Sequence, residues 1–151
     1  MKLVEDTLDT DLDDFLARPL FCFLATTDDG EPRVSPLWFL WENDAFWIVA
    51  DTEKTYPDRI RRNPSVALAV VDFDASTGTV QHVGARGRAT VEPHDPARAK
   101  RLLHRYLGPD EEQWDQSRFP DPATWDDRMA LVRVDPETVV ARDQSYVPSG
   151  T

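Results

Sequence analysis

A chain of 151 residues is the size of one ordinary domain, and a single core over residues 1–151 is expected. Its formal charge of −11, with 20 Asp and 8 Glu against 14 Arg and 3 Lys, repels phosphate backbones and sets nucleic-acid binding aside. No apolar run approaches the ~20 residues of a membrane span, and the first fourteen residues carry six acids and one Lys, unlike a signal peptide, so the expected compartment is the cytoplasm with no membrane partner.

From the N-terminus, Leu8, Leu12, Phe15 and Leu16 fall at helical spacing, which predicts a short amphipathic helix with Thr10 as N-cap, Asp13 three residues on, and an end near Arg18-Pro19. Two apolar, aromatic-rich runs follow, Leu20 to Thr27 and Pro32 to Trp41, and the Asp-Gly step between them predicts a hairpin. Asn43-Asp44 turns into a third strand, Ala45 to Thr52, so the first third reads as a helix and a three-stranded meander. Thr55, Pro57 and Asp58 give the capped start of a short helix that runs through Ile60 to Asn63 and stops at Pro64. Ser65 to Asp74 and Thr79 to Val91 are strands around the turn Ala75 to Gly78. Asp95-Pro96 opens the clearest helix, with Leu102, Leu103, Tyr106 and Leu107 on one face and Gly108 as its stop, expected to cover the sheet. Pro109 to Asp127 reads as an irregular excursion with one short helix, and Met129 to Val134 and Thr138 to Arg142 are the last strands. The pattern is mainly β with flanking helices, a six- to seven-stranded antiparallel barrel. Without strand-helix-strand alternation or a glycine-rich phosphate loop, it does not read as a Rossmann domain.

The chemistry-bearing residues narrow the possibilities further. His82, His94 and His104 match no metal-ligand spacing, so no metal is expected. Cys22, the lone cysteine, sits in an apolar run and reads as a buried small hydrophobe; no Gly-x-Ser-x-Gly elbow supports acyl transfer. No catalytic residue can be named. The segment Ala50 to Pro64 concentrates Lys54, Arg59, Arg61 and Arg62 just beyond a strand, with Thr52 and Thr55 adding hydroxyls, and such a junction suits a phosphate or, equally, a solvated basic helix face. In His82 to Thr90, alternation puts His82, Gly84, Arg86 and Arg88 on one face and Val83, Ala85, Gly87 and Ala89 on the other; the first set suits a flat ligand or a plain polar surface. In Arg33 to Trp41, Ser35 shares a face with Arg33, Leu37 and Phe39.

In their order and spacing, Leu24-Ala-Thr-Thr-Asp-Asp-Gly-Glu-Pro32, Ser35-Pro-Leu-Trp-Phe39 and Phe46-Trp-Ile-Val, leading through Lys54 to Ile60-Arg-Arg-Asn-Pro-Ser-Val-Ala-Leu68, resemble the flavin-binding split barrels of the pyridoxamine 5'-phosphate oxidase-like superfamily. The resemblance covers about Leu12 to Val91. It implies a split β-barrel binding FMN or, alternatively, deazaflavin F420, and a homodimer with cofactor sites at its interface. Thr52, Lys54, Arg59 and Arg62 are then expected at the phosphate or ribityl chain, Ser35, Pro36 and Trp38 near the ring, and His82 and Arg86 on the strand face beside it. Similar proteins usually place a Lys eight residues before the Asn-Pro proline; here Tyr56 stands there and Lys54 lies ten before, so Arg59 and Arg62 share the phosphate role with Lys54. The C-terminal Arg-rich and Trp-containing motif of true pyridoxamine phosphate oxidases is missing, which argues against vitamin B6 oxidation.

The resulting expectation is an FMN-dependent oxidoreductase acting on a small planar substrate. An F420-dependent reductase, a flavin or heme carrier without turnover, and a barrel that has lost its ligand are the alternatives. Trp38, Trp41 and Trp47 are expected to be exposed on the strands and to supply the dimer surface.

Overall fold

A computed structural model describes residues 1–150. Eight strands form one sheet in the order β3 (Glu31–Leu37), β2 (Cys22–Asp28), β6 (Ser65–Asp74), β7 (Thr79–Pro93), β8 (Met129–Asp143), β5 (Ala45–Asp51), β4 (Leu40–Glu42), with β1 (Lys2–Asp6) added in parallel to β8. Every other pairing is antiparallel. The end strands β3 and β4 are joined only through Trp38 and Phe39. Three peptide steps span at most ~11 Å, so the two ends of the sheet must come round to meet, and no ladder joins them. The result is a barrel split along one seam.

The expected class is therefore present, and its details differ in four places. The run Pro32 to Trp41 is two strands, and the following strand pairs with β4 and β8 across the barrel instead of extending a meander. β1 lies in a stretch, before the expected first helix, for which the sequence predicts no element. The first helix, α1 (Leu12–Leu16), starts after Asp11, with no side-chain cap from Thr10. The last two expected strands are one, because β8 runs on past Pro136 by a bulge where Arg86 faces Thr138 and Gly87 faces Pro136.

Alternation builds the core. Leu24 on β2, Leu68 and Val70 on β6 and Val83 on β7 point into the barrel with Phe39, Phe46 and Ile48. Cys22 lies there too, and burial pushes its thiol up to about 12, so it stays protonated. β5 is apolar on both faces: Phe46, Ile48 and Ala50 face inward, while Trp47 packs outward against Leu102 and Leu103 of α3 (Pro96–Leu107). The Asp95 carboxylate caps α3 by accepting from Arg98 N, and Gly108 ends it at φ +93°. Two single-turn 3₁₀ helices, Glu111–Gln113 and Pro122–Thr124, punctuate the excursion that follows.

The end of α3 fixes the break between β3 and β4. The Tyr106 hydroxyl accepts the Phe39 N–H (2.9 Å) and donates to the Leu20 carbonyl (2.8 Å), and Trp38 stacks on its ring at 4.4 Å. Arg105 donates to the carbonyls of Phe39, Leu16 and Arg18.

At the bulge, a Cβ on Gly87 would lie 2.1 Å from the Asp135 carbonyl oxygen, a backbone atom that cannot give way. Gly87→Ala should therefore destabilise the protein by ~2 kcal/mol or more, read as a lowered urea midpoint at unchanged slope. Gly84→Ala, whose Cβ meets only the Val140 side chain at 3.3 Å, should cost less.

Candidate functional site

α2 (Thr55–Arg62) follows β5 at the mouth of the seam. Between them and β3 lies a hollow of about 450 Å³, lined by Ser35 and Leu37 of β3, Val49 and Asp51 of β5, Lys54, Thr55, Tyr56 and Arg59 of the turn and helix, and Met129 of β8. Leu37, Val49, Tyr56 and Met129 give it an apolar wall; Lys54 and Arg59 make it cationic.

Arg59 decides its character. The residue is only 8% exposed, and its Nε donates to Thr26 Oγ1 (2.9 Å) and its Nη1 to Thr55 Oγ1 (2.7 Å). Among the described residues no carboxylate pairs with it. A buried cation without a counter-ion is costly, and in a protein of charge −11 it stands out from its neighbours, since Arg61 pairs with Asp58 and Arg62 with Asp28, each at 3.2 Å. The helix start adds to it. Lys54, the N-cap residue, makes no side-chain cap, and the first-turn N–H groups of Thr55 and Tyr56 have no helical acceptor. Uncapped N–H groups beside two cations suit an anion.

Asp51 is the carboxylate of the hollow, and it is already neutralised. Arg128 grips it with two bonds (2.9 and 2.6 Å) and the Glu53 N–H adds a third, which together hold its pKa down at about 2. It remains ionised without spending the charge of Arg59. Burial pushes the Tyr56 phenol up, so it stays a neutral O–H.

Of the residues expected from sequence, Ser35, Lys54 and Arg59 meet in this hollow. Thr52 faces the other way, its hydroxyl donating to the Arg128 carbonyl (2.7 Å). Arg62 is engaged with Asp28. Pro36 is exposed on the outer face of β3, and Trp38 is packed on Tyr106 and Phe119. His82 and Arg86 lie on the outer face of β7, and neither lines the hollow. Sequence reasoning missed Thr26, Asp51 and Met129. Thr26 stands within a quoted motif, and alternation from Leu24 could have turned it inward; Met129 carries no local signal.

The expected exposure of three tryptophans is corrected. Trp47 is buried beneath the Arg98 guanidinium, 3.6 Å from its ring, while Trp41 donates to Asp13 (2.7 Å) and Trp38 is stacked. The apolar side chains left exposed include instead Phe23, Val34, Val71 and Phe73, on the outer face of β2, β3 and β6, and Phe21 just before β2.

A seam-split antiparallel barrel with a cationic hollow at the seam defines the split-barrel class. The chain belongs to the pyridoxamine 5'-phosphate oxidase family, whose model matches residues 8–143. Among solved structures it is similar to an F420 reductase, at 26% identity over 87% of this chain and 98% of that one (TM-score 0.65). It also resembles a conserved hypothetical protein from Mycobacterium tuberculosis (21% identity, 95% and 89% covered, TM-score 0.72) and a heme storage protein from Vibrio cholerae (17%, 91% and 92%, TM-score 0.62). No curated protein sequence matches the chain. None of the described helices is long and apolar enough to cross a membrane.

Proposed function

We propose that the chain is a flavin-type oxidoreductase that binds its cofactor through a phosphate in the seam hollow. The observation that carries this reading is Arg59, buried, positively charged and without a carboxylate. Arg59, Lys54 and the first-turn N–H groups of α2 hold the phosphate, Ser35 offers a hydroxyl, and the apolar wall excludes water. The cofactor supplies electron or hydride transfer to a small planar substrate; the protein supplies binding and orientation. FMN is the first reading. F420 is the second, favoured by the 26% identity to an F420 reductase.

The active form in this proposal is a cytoplasmic homodimer built on the exposed outer face around Phe23, Val34 and Phe73. His82 and Arg86, on the continuation of that face, then bear on a cofactor only across the interface. Light scattering should give twice the chain mass, and Phe23→Glu with Phe73→Glu should give the monomer. A wild-type monomer at micromolar concentration removes the shared site.

Absorbance titration of the purified protein with FMN, F420 and heme tests the main reading. Saturable binding of FMN or F420, followed by turnover with a nicotinamide donor and an acceptor, is the expected result. Heme binding alone makes the protein a carrier, and binding of none of the three overturns the proposal.

A further inference from the structure

We infer that Thr26 is a positioning residue of the phosphate site: its hydroxyl sets the Arg59 guanidinium so that the charge faces the hollow, an inference that rests on the proposed cofactor site. Thr26 lies on β2 and is only 3% exposed, on the same inward face as Leu24 and Cys22. A hydroxyl placed there needs a partner, and Arg59 Nε provides it at 2.9 Å. Thr55 takes Nη1 at 2.7 Å. The two acceptors come from different elements, a strand and a helix start, so the planar guanidinium is held at two of its three nitrogens and cannot swing without breaking a bond.

Both acceptors are neutral, and this is what gives the arrangement its use. A carboxylate at either position could satisfy the same donors and would cancel the charge, as Asp28 does for Arg62. Two hydroxyls orient the guanidinium and leave its full charge for an incoming anion at Nη2, which has no protein acceptor among the described residues. An arginine fixed in advance also loses less side-chain entropy when the ligand arrives.

The test titrates the full-length protein with FMN and F420, and with riboflavin and the dephosphorylated deazaflavin as ring-only controls. Thr26→Val keeps the shape and removes the acceptor; it should weaken the phosphorylated ligand about tenfold and leave ring-only binding unchanged. Thr26→Ser should restore affinity to within about twofold, and in an Arg59→Ala background Thr26→Val should cost nothing further. Should Thr26→Val melt too low to titrate, Thr55→Val, at an exposed position, must show the same phosphate-selective loss. Wild-type affinity in Thr26→Val, or in Thr55→Val where that variant stands in, while Arg59→Ala has lost binding, overturns the positioning role and leaves the site standing. Equal weakening of ring-only ligands marks a packing defect and also overturns it. A wild type that binds neither cofactor, or an Arg59→Ala variant that binds as before, overturns the site and the positioning role together.

Discussion

Arg59→Met should separate binding from stability: cofactor affinity falls by at least ~100-fold while the unliganded protein melts within a few degrees of the wild type. The loss of affinity follows from removing the buried cation of the hollow, because charge-assisted bonds to a phosphate are worth roughly 1.5–3 kcal/mol each. The near-constant stability follows from the other side of the same fact. Arg59 has no carboxylate to strand, so replacing it with an apolar chain of similar length relieves a buried charge at the expense of two charge-assisted hydrogen bonds to hydroxyls, one of which, on Thr26, is buried. These terms offset to within about 1 kcal/mol. Arg62→Ala is the control, since that residue is paired with Asp28 near the surface and its loss should change affinity by less than about threefold. Fluorescence titration and a melting curve on the same samples check both halves. A large fall in melting temperature for Arg59→Met would mean that the guanidinium serves the fold and not a ligand.

Arg105→Met should be the most destabilising single change to a surface-reaching side chain, by ~3 kcal/mol, or roughly 10 °C in a protein of this size. Its guanidinium donates to the carbonyls of Leu16, Arg18 and Phe39, binding the end of α1 and the β3–β4 break to the last turn of α3. Three carbonyls lose a charged donor at once, and the cation over the Phe39 ring at 4.6 Å is lost with it. Tyr106→Phe, which leaves the Phe39 N–H unmatched, should cost about 1–2 kcal/mol. Arg61→Ala breaks only an exposed pair and should be nearly silent. Circular dichroism melts of the three variants give the ranking.

The barrel was legible because alternation is a local property. The inward sets on β2, β6 and β7 can be read two residues at a time, and Asp95-Pro96 and Gly108 mark α3 by their own conformational preferences. What could not be read was made by distant groups. Nothing in Pro32 to Trp41 announces a break; it is imposed at Phe39 by Tyr106 and Arg105, far along the chain. β1 is exposed along its whole length and has no buried face to reveal it, being held by its ladder to Thr138–Ala141 and the Glu5–Arg142 pair.

The site divides in the same way. Ser35 and Arg59 reach the hollow by simple periods: Ser35 turns inward where Pro36 turns out, and Arg59 stands one helical turn from Thr55. Thr52 was misplaced by one residue of the same alternation, because Asp51, on the same face of β5 as Val49, lines the hollow while the Thr52 hydroxyl turns to the Arg128 carbonyl. Met129 arrives opposite Asp51 only through the β5–β8 ladder, a pairing that no local pattern encodes.

β8 alone is bonded to three other described strands, β7 along one edge and β5 then β1 along the other. During synthesis, the hairpin of β4 and β5 and the ladder of β3, β2, β6 and β7 are all complete before the strand that unites them has left the ribosome. The N-terminal β1 has the longest wait, since its partner residues begin at Thr138. Closure of the barrel is thus a late, high-contact-order event, slow by nature, during which the inward faces of both halves stand open to water and to other chains. The strand that gives the finished sheet its continuity is the one that leaves the nascent protein most dependent on protection until its last residues appear.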